Sequence, residues 1–383
     1  MPPRLAVTGA SLIVASTGQQ LFGENASREL LIASTTKLMT ALVVVQHVRD
    51  LSTMYAQTDF RAAPVDSQIG LSPGERMSVH DLLLALMLPS ADDAAIDLAY
   101  NVGGHSVAHF VAMMNAEARA LGLTHTHYSN PIGLDSPENY SSPYDLARLA
   151  AVDLERSAFL RRVVALPDAT LRTGDEVRDV VNTDTLLGAV PWINGVKTGH
   201  TVAAGYILVS SGTRNGMTLI GSVLGTRSEA ARNANALALL SWGFDHFRQV
   251  VPVRARAVLA RLPVSGGSAR VPVIAGVGDT RVVPDGARVA VRLRLPHELD
   301  PPLPRDSLVG EAIVTVAGRP VAGVPLLLAR ALPAVSPVTQ LGRFLLRFST
   351  LAALALLACL LVLARSLHRR GSQVVRSRRL ERG

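Results

Sequence analysis

The chain has 383 residues, of which 48% are hydrophobic and 18% charged; this is enough for two packed domains and excludes global disorder. The net charge of +8 lies at the C-terminal end, where residues 365–383 carry seven Arg and one Glu and Arg343 and Arg347 add two positive charges. Residues 1–342 are therefore neutral, and no nucleic-acid-binding surface is expected.

Residues 1–248 mix helix and strand patterns and are expected to form one domain. In residues 34–50, Leu38, Ala41, Leu42 and Val45 recur at helical spacing. The further predicted helices cover residues 81–88, 106–121, 143–165 and 228–247. The predicted strands cover residues 11–16, 206–211 and 218–224, the last two forming a hairpin across residues 212–216.

Residues 249–330 consist of short Val-rich runs that Gly and Pro interrupt, with almost no helical periodicity. This pattern predicts a small all-β domain. Residues 331–343, which include Pro333 and Pro337, are expected to be a linker.

Residues 348–364 carry no charge, and a helix of this length spans roughly 26 Å, slightly less than a hydrocarbon core of ~30 Å. We predict a transmembrane helix over 344–364, with Arg347 reaching the interface; a buried core helix is the alternative. The Arg cluster that follows is typical of a cytoplasmic flank, so 365–383 should be a basic cytoplasmic tail that attracts anionic membrane lipid. The body should then lie outside the membrane.

An extracytoplasmic body requires an export signal, and the first residues do not resemble one. We expect a true start upstream; a tail-anchored protein with a cytosolic body is the competing interpretation. Cys359 is the single cysteine, which excludes intrachain disulfides.

Only two of the 38 Lys and Arg residues are lysines, Lys37 and Lys197. Arg cannot lose its proton in a protein, whereas burial or a nearby cation can make Lys a base. Ser34 precedes Lys37 by one turn at a predicted helix N-terminus, where a lysine can activate a serine nucleophile. Alone, this spacing is a weak signal, because four-residue matches often arise by chance; a helix cap and a solvated lysine are the alternative.

Two other segments complete a set: Ser90-Ala91-Asp92 between predicted helices, and Lys197-Thr198-Gly199. Each is weak alone, but all three in this order are typical of penicillin-binding proteins and class A β-lactamases.

The chain resembles the D-alanyl-D-alanine carboxypeptidases, the low-molecular-mass penicillin-binding proteins, over about residues 10–330. Matching segments also include Phe110–Asn115, Leu121-Gly122, Ser129-Asn130-Pro131, Gly133-Leu134, Asn182-Thr183, Trp242-Gly243-Phe244 and Val324-Pro325-Leu326. The resemblance implies an α/β (α+β) fold: a β-lactamase/transpeptidase-like domain with a central antiparallel sheet, a small all-β domain and one C-terminal transmembrane helix.

The resemblance also implies residue roles. Ser34 would be the acylated nucleophile, Lys37 its general base, Ser90 a proton relay to the leaving D-alanine, and Lys197 a positive charge that supports the relay. The backbone N–H groups of Ser34 and His200 would form an oxyanion hole. Substrate binding would fall to Asp92, Thr198, Gly199, His200 and Arg232, with Thr198 and Arg232 holding the terminal carboxylate.

The implied substrate is a peptidoglycan stem peptide ending in D-Ala-D-Ala, β-lactams would acylate Ser34, and no metal or organic cofactor is implied. A β-lactamase is disfavoured by the β domain, the membrane span and the lack of an obvious deacylating Glu motif. A β-lactam or muropeptide sensor with poor turnover is the other alternative. His125 and His127 are expected on the surface, and at least two of Asp92, Asp93 and Asp97 on an outer helix face.

Asp92 departs from the family pattern, which has Asn at this position. An ionised carboxylate can only accept hydrogen bonds, and beside Lys37 it favours the ammonium form; the alternative is that Asp92 is protonated or rotated away. We expect Asp92→Asn to accelerate acylation by about one to two orders of magnitude, equivalent to ~1.4–2.7 kcal/mol at the transition state. Acylation kinetics would show no gain if this expectation is wrong.

Overall fold

The computed structural model describes residues 1–63, 66–265, 269–334 and 348–380. The chain forms two compact units: Met1–Gln249 with Val282–Gly286, and Val250–Arg281 with Ala287–Gly383. The fold matches the expected class, with an α/β domain, a second antiparallel β-sheet and an apolar C-terminal helix.

The helices of the first unit follow a 3-10 turn at Ala33–Thr36. They are α1 (Lys37–His47), α2 (Val79–Met87), α3 (Asp92–Val102), α4 (Val107–Ala120), α5 (Pro143–Arg156), α6 (Ala158–Val163) and α7 (Glu229–His246). Its strands are β1 (Gly9–Val14), β2 (Gln20–Glu24), β3 (Leu30–Leu31), β4 (Met54–Ala56), β5 (Arg76–Ser78), β6 (Tyr140–Ser141), β7 (Asp168–Leu171), β8 (Arg178–Val181), β9 (Ile193–Thr201), β10 (Gly205–Arg214) and β11 (Met217–Thr226).

A five-stranded antiparallel sheet in the order β2-β1-β11-β10-β9 forms the centre of this unit. Because side chains alternate along a strand, Ile13 joins an apolar cluster with α1 to α5, while Leu12 and Val14 join another with α7. Helices thus cover both faces and bury the central strands, and β9 is left at the edge, where it meets the 3-10 turn.

Two predicted elements differ in extent from the structure. The helix predicted over 143–165 is interrupted at Ser157, whose extended backbone ends α5 and whose hydroxyl accepts the Leu160 N–H to begin α6. The hairpin strands extend beyond Ser211, because Gly212 lies within β10 and packs against Trp192 instead of forming the turn.

Two strands, β12 (Phe247–Val253) and β15 (Asp279–Pro284), contain residues of both units. The second unit also contains β13 (Val258–Pro263), β14 (Arg270–Ala275), β16 (Val289–Arg294), β17 (Leu308–Val316) and β18 (Arg319–Leu328). Five of these strands form an antiparallel sheet in the order β13-β14-β18-β17-β16. Valine, alanine and leucine side chains from β14, β17 and β18 contribute to its core.

The helix α8 (Phe348–Leu380) covers most of the predicted membrane span. Its segment Ser349–His368 has a mean hydropathy of 2.2 and is long and apolar enough to cross a membrane. Residues 335–343 of the predicted linker, 344–347 of the predicted span and 381–383 of the predicted tail lie outside the described residues.

The prediction that Asp92, Asp93 and Asp97 lie mostly on an outer helix face is wrong, because all three are buried. Asp93 accepts the backbone N–H groups of Ile69, Gly70 and Leu71, which fixes that loop on α3. The carboxylates of Asp93 and Asp97 thus accept hydrogen bonds from loop N–H groups, a pattern that helical periodicity does not reveal.

Burial raises the pKa of Asp97 to about 7, although the Thr58 N–H favours its ionised form. Since the folded state holds this proton more tightly than the unfolded state, the unfolding free energy should fall as pH rises from about 4 to 7, by roughly 4 kcal/mol at most. Asp97→Asn should flatten this decline in chemical unfolding of the full chain. The same substitution at exposed Asp59 should not, and an unchanged Asp97→Asn profile would contradict the assignment.

Candidate active site

Lys37 is the centre of the candidate site. Its side chain is wholly buried, and its Nζ lies 3.0 Å from Ser34 Oγ, 2.5 Å from Asp92 Oδ1 and 2.8 Å from the Ile132 carbonyl oxygen. Ser34 itself is half-buried, so a ligand can reach its hydroxyl. The 3-10 turn places the two side chains one turn apart at the start of α1.

Burial lowers the pKa of Lys37, and the neighbouring Asp92 carboxylate opposes this effect. A neutral amine has two N–H donors and one lone pair, which fits donation to Asp92 and Ile132 and acceptance of the Ser34 O–H. The geometry can therefore remove a proton from Ser34, the chemistry that a serine nucleophile requires.

A tight turn supplies the Ile132 carbonyl. The side-chain oxygen of Asn130 accepts the backbone N–H groups of Ile132, Gly133 and Leu134. Gly133 has a φ of +94° and lies directly against the backbone of Ala33 and Ser34, where a Cβ would overlap the Ala33 carbonyl. The turn thus fixes both Lys37 and the backbone that carries the nucleophile.

Strand β9 forms the opposite wall and carries Lys197 to His200. A Cβ at Gly199 would lie 3.1 Å from the Ile32 carbonyl oxygen and 3.2 Å from the Thr35 nitrogen, closer than ordinary contact. Glycine therefore lets the strand approach the 3-10 turn. Thr198 Oγ1 lies 2.5 Å from Thr183 Oγ1, and the exposed His200 ring packs on Tyr206 with ring centres 3.9 Å apart.

Lys197 Nζ and Ser90 Oγ are buried and have no hydrogen-bond partner within the described part of the chain. Burial and the charge of Lys37 hold the pKa of Lys197 well below its ordinary value. Ser90 has a φ of +68°, an unfavourable conformation for a residue with a side chain, of the kind often found at functional sites. Unpaired buried polar groups require an explanation, and a ligand that hydrogen-bonds to both would provide one.

Arg232 is buried, and its guanidinium donates to Glu229 Oε1 at 3.1 Å and to Asn233 Oδ1 at 3.0 Å. A ligand carboxylate would compete with Glu229 for it. Asp184 interacts electrostatically with both Arg232 and Lys197, and burial raises its pKa.

The structure joins Ser34, Lys37 and Asp92 by direct contact and places Gly199 against the same 3-10 turn. Sequence reasoning assigned no role to the Ile132 carbonyl, Thr183 or Asp184. The Asn130-Pro131-Ile132-Gly133 sequence is a turn signal that could have indicated the first of these. Nothing local marks Asp184, because its importance depends on tertiary contacts.

Comparisons with known proteins identify the family of this chain. A family model described as D-alanyl-D-alanine carboxypeptidase matches residues 1–228. The chain is 32% identical to the carboxypeptidase DacF of Bacillus subtilis over 67% of each chain, and 30% identical to DacA of Escherichia coli over 86% of this chain and 85% of DacA. Penicillin-binding protein 5 from Haemophilus influenzae superposes with a TM-score of 0.74 and 27% identity, over 87% of this chain and 99% of that protein.

The contact of Gly133 with the nucleophile turn leads to a prediction. Gly133→Ala should displace the backbone at Ser34 and reduce acylation by about a hundredfold or more, since misplacement of ~1 Å has that effect on reacting groups. Gly188→Ala is the matched control, because Gly188 also has a positive φ but nothing within 4 Å of its would-be Cβ. The control should lose about 1–2 kcal/mol of stability and keep its acylation rate; equal acylation rates in the two variants would contradict the assignment.

Proposed function

The chain belongs to the D-alanyl-D-alanine carboxypeptidase family and is a serine-type D-Ala-D-Ala carboxypeptidase, and we propose that it acts through an acyl-enzyme on Ser34. The observation that carries this proposal is the buried Lys37 amine 3.0 Å from the half-buried Ser34 hydroxyl. Within the described residues, Ser34 is the serine held in this way.

In the proposed reaction, Ser34 Oγ attacks the carbonyl carbon of the penultimate D-alanine while its proton passes to Lys37. The backbone N–H groups of Ser34 and His200 stabilise the oxyanion. Collapse of the intermediate breaks the peptide bond, and Ser90 passes a proton to the leaving D-alanine nitrogen with support from Lys197. Water then hydrolyses the ester and restores the Ser34 hydroxyl.

We expect Lys197 and Arg232 to bind the terminal carboxylate of the substrate. Lys197 and Arg232 are both buried, and Thr198, whose hydroxyl contacts that of Thr183, follows Lys197 on β9. A carboxylate binding there would satisfy the unpaired Lys197 Nζ, which supports the proposed roles of Thr198 and Arg232.

The family implies substrates ending in D-Ala-D-Ala and penicillin binding. The finer assignment is a peptidoglycan stem peptide outside the membrane, with β-lactams acylating Ser34. The apolar helix α8 indicates membrane anchoring. The Arg-rich segment after it supports a cytoplasmic C-terminus and an extracytoplasmic catalytic domain.

Two measurements on one sample of the full chain in detergent test this function: intact mass after penicillin exposure, and D-alanine release from a peptide ending in D-Ala-D-Ala. We expect a penicilloyl adduct and released D-alanine in the wild type, and neither in Ser34→Ala. An adduct without D-alanine release would favour the sensor function instead, and the absence of any adduct would contradict the assembled site.

A further inference from the structure

We propose that Asp92 is the proton acceptor of Lys37, so that the pair enters catalysis as a neutral amine and a neutral carboxylic acid. This inference rests on the proposed acyl-enzyme function and adds to it the source of the free base. Asp92 acts through Lys37, and it lies at the position where the family pattern has Asn.

The contact itself allows the transfer. Lys37 Nζ and Asp92 Oδ1 are 2.5 Å apart, the Lys37 side chain is 0% exposed and the Asp92 side chain is 10% exposed. One N–H bond breaks, one O–H bond forms, and both formal charges disappear. The pair keeps the same number of protons, so this step exchanges nothing with solvent.

The surroundings disfavour both charges. Burial lowers the pKa of Lys37 and raises the pKa of Asp92, and each effect outweighs the attraction between the partners. The other charged groups that face the pair are Asp66 and Asp93, which act on both partners, and Lys197, which interacts with both from β9. Burial is the largest influence on the pKa of each partner.

The neutral pair supplies two functions that the ion pair lacks. The lone pair that the transfer leaves on Lys37 Nζ first faces Asp92, and rotation about the Cε–Nζ bond turns it to the Ser34 proton at 3.0 Å. The Asp92 O–H becomes a donor, whereas an ionised carboxylate can only accept. That donor can serve a substrate carbonyl once Ser34 occupies the Lys37 lone pair. Asp92 in its neutral form therefore supplies the hydrogen-bond donor that an amide would supply at this position.

This mechanism has a distinctive pH dependence. The fraction of the pair in the neutral form does not change with pH while the pair holds its single shared proton. With Asn at position 92, Lys37 must release its proton to solvent, and the rate below its pKa falls about tenfold per pH unit. The gain expected for Asp92→Asn should consequently be confined to alkaline pH and become a loss in weak acid.

The test is the second-order acylation rate of the full chain by penicillin between about pH 6 and 9, for the wild type, Asp92→Asn and Asp97→Asn. We expect less than about a threefold change for the wild type, and a rise of about tenfold per unit on the acid side for Asp92→Asn, with the two curves crossing. Asp97→Asn removes another buried carboxyl of α3 that does not contact Lys37, and it should retain the wild-type profile.

A wild-type rate that climbs about tenfold per pH unit would overturn the proposal, because Lys37 would then be losing its proton to solvent. An Asp92→Asn rate above the wild-type rate at every pH between about 6 and 9 would also overturn it, because Asp92 would then only hold the proton on Lys37. The wild-type profile decides the first point even if the variant fails to fold. Mass spectrometry of Ser34→Ala on the same material separates this result from failure of the acyl-enzyme itself.

Discussion

The burial of the Lys37 amine is the constraint on which the rest of the site depends. A charged ammonium without water costs several kcal/mol unless good hydrogen bonds compensate for the lost solvation. Asp92 lies where it can take the proton of that ammonium, the Ile132 carbonyl accepts an N–H group, and the remaining direction of the amine faces Ser34. Because Asp92 and the Ile132 carbonyl occupy the other two hydrogen-bonding directions of Lys37 Nζ, Ser34 is the hydroxyl group that Lys37 can activate.

The surrounding fold maintains this arrangement from several sides. The Asn130 turn fixes the Ile132 carbonyl, and Gly133 and Gly199 let two backbone segments approach the 3-10 turn where side chains would not fit. Asp93, next to Asp92 on α3, holds the loop at Ile69–Leu71. Rigid support of this kind keeps reacting groups within the small tolerances that catalysis needs.

Much of the fold could be predicted because local signals coincide with tertiary structure. The helix predicted over 228–247 corresponds to α7, which the Ser228 side chain caps, and Ser34 and Lys37 lie one turn apart as their spacing predicts. The failures have a common origin in long-range contacts. The carboxylates of Asp93 and Asp97 are buried by loops distant in sequence, and Gly212 remains in a strand because Trp192 covers it. The third partner of Lys37 is a backbone carbonyl, which no side-chain motif can reveal.

The presence of only two lysines allows the protonation state of Lys37 to be observed directly. Nuclear magnetic resonance of the full chain with 15N- and 13C-labelled lysine should give two side-chain signals, which Lys197→Arg assigns. We predict a Lys37 signal displaced from the ammonium position toward that of a neutral amine and constant between about pH 6 and 9, as expected when a buried neighbour holds the proton. A signal at the full ammonium position throughout this range would contradict it.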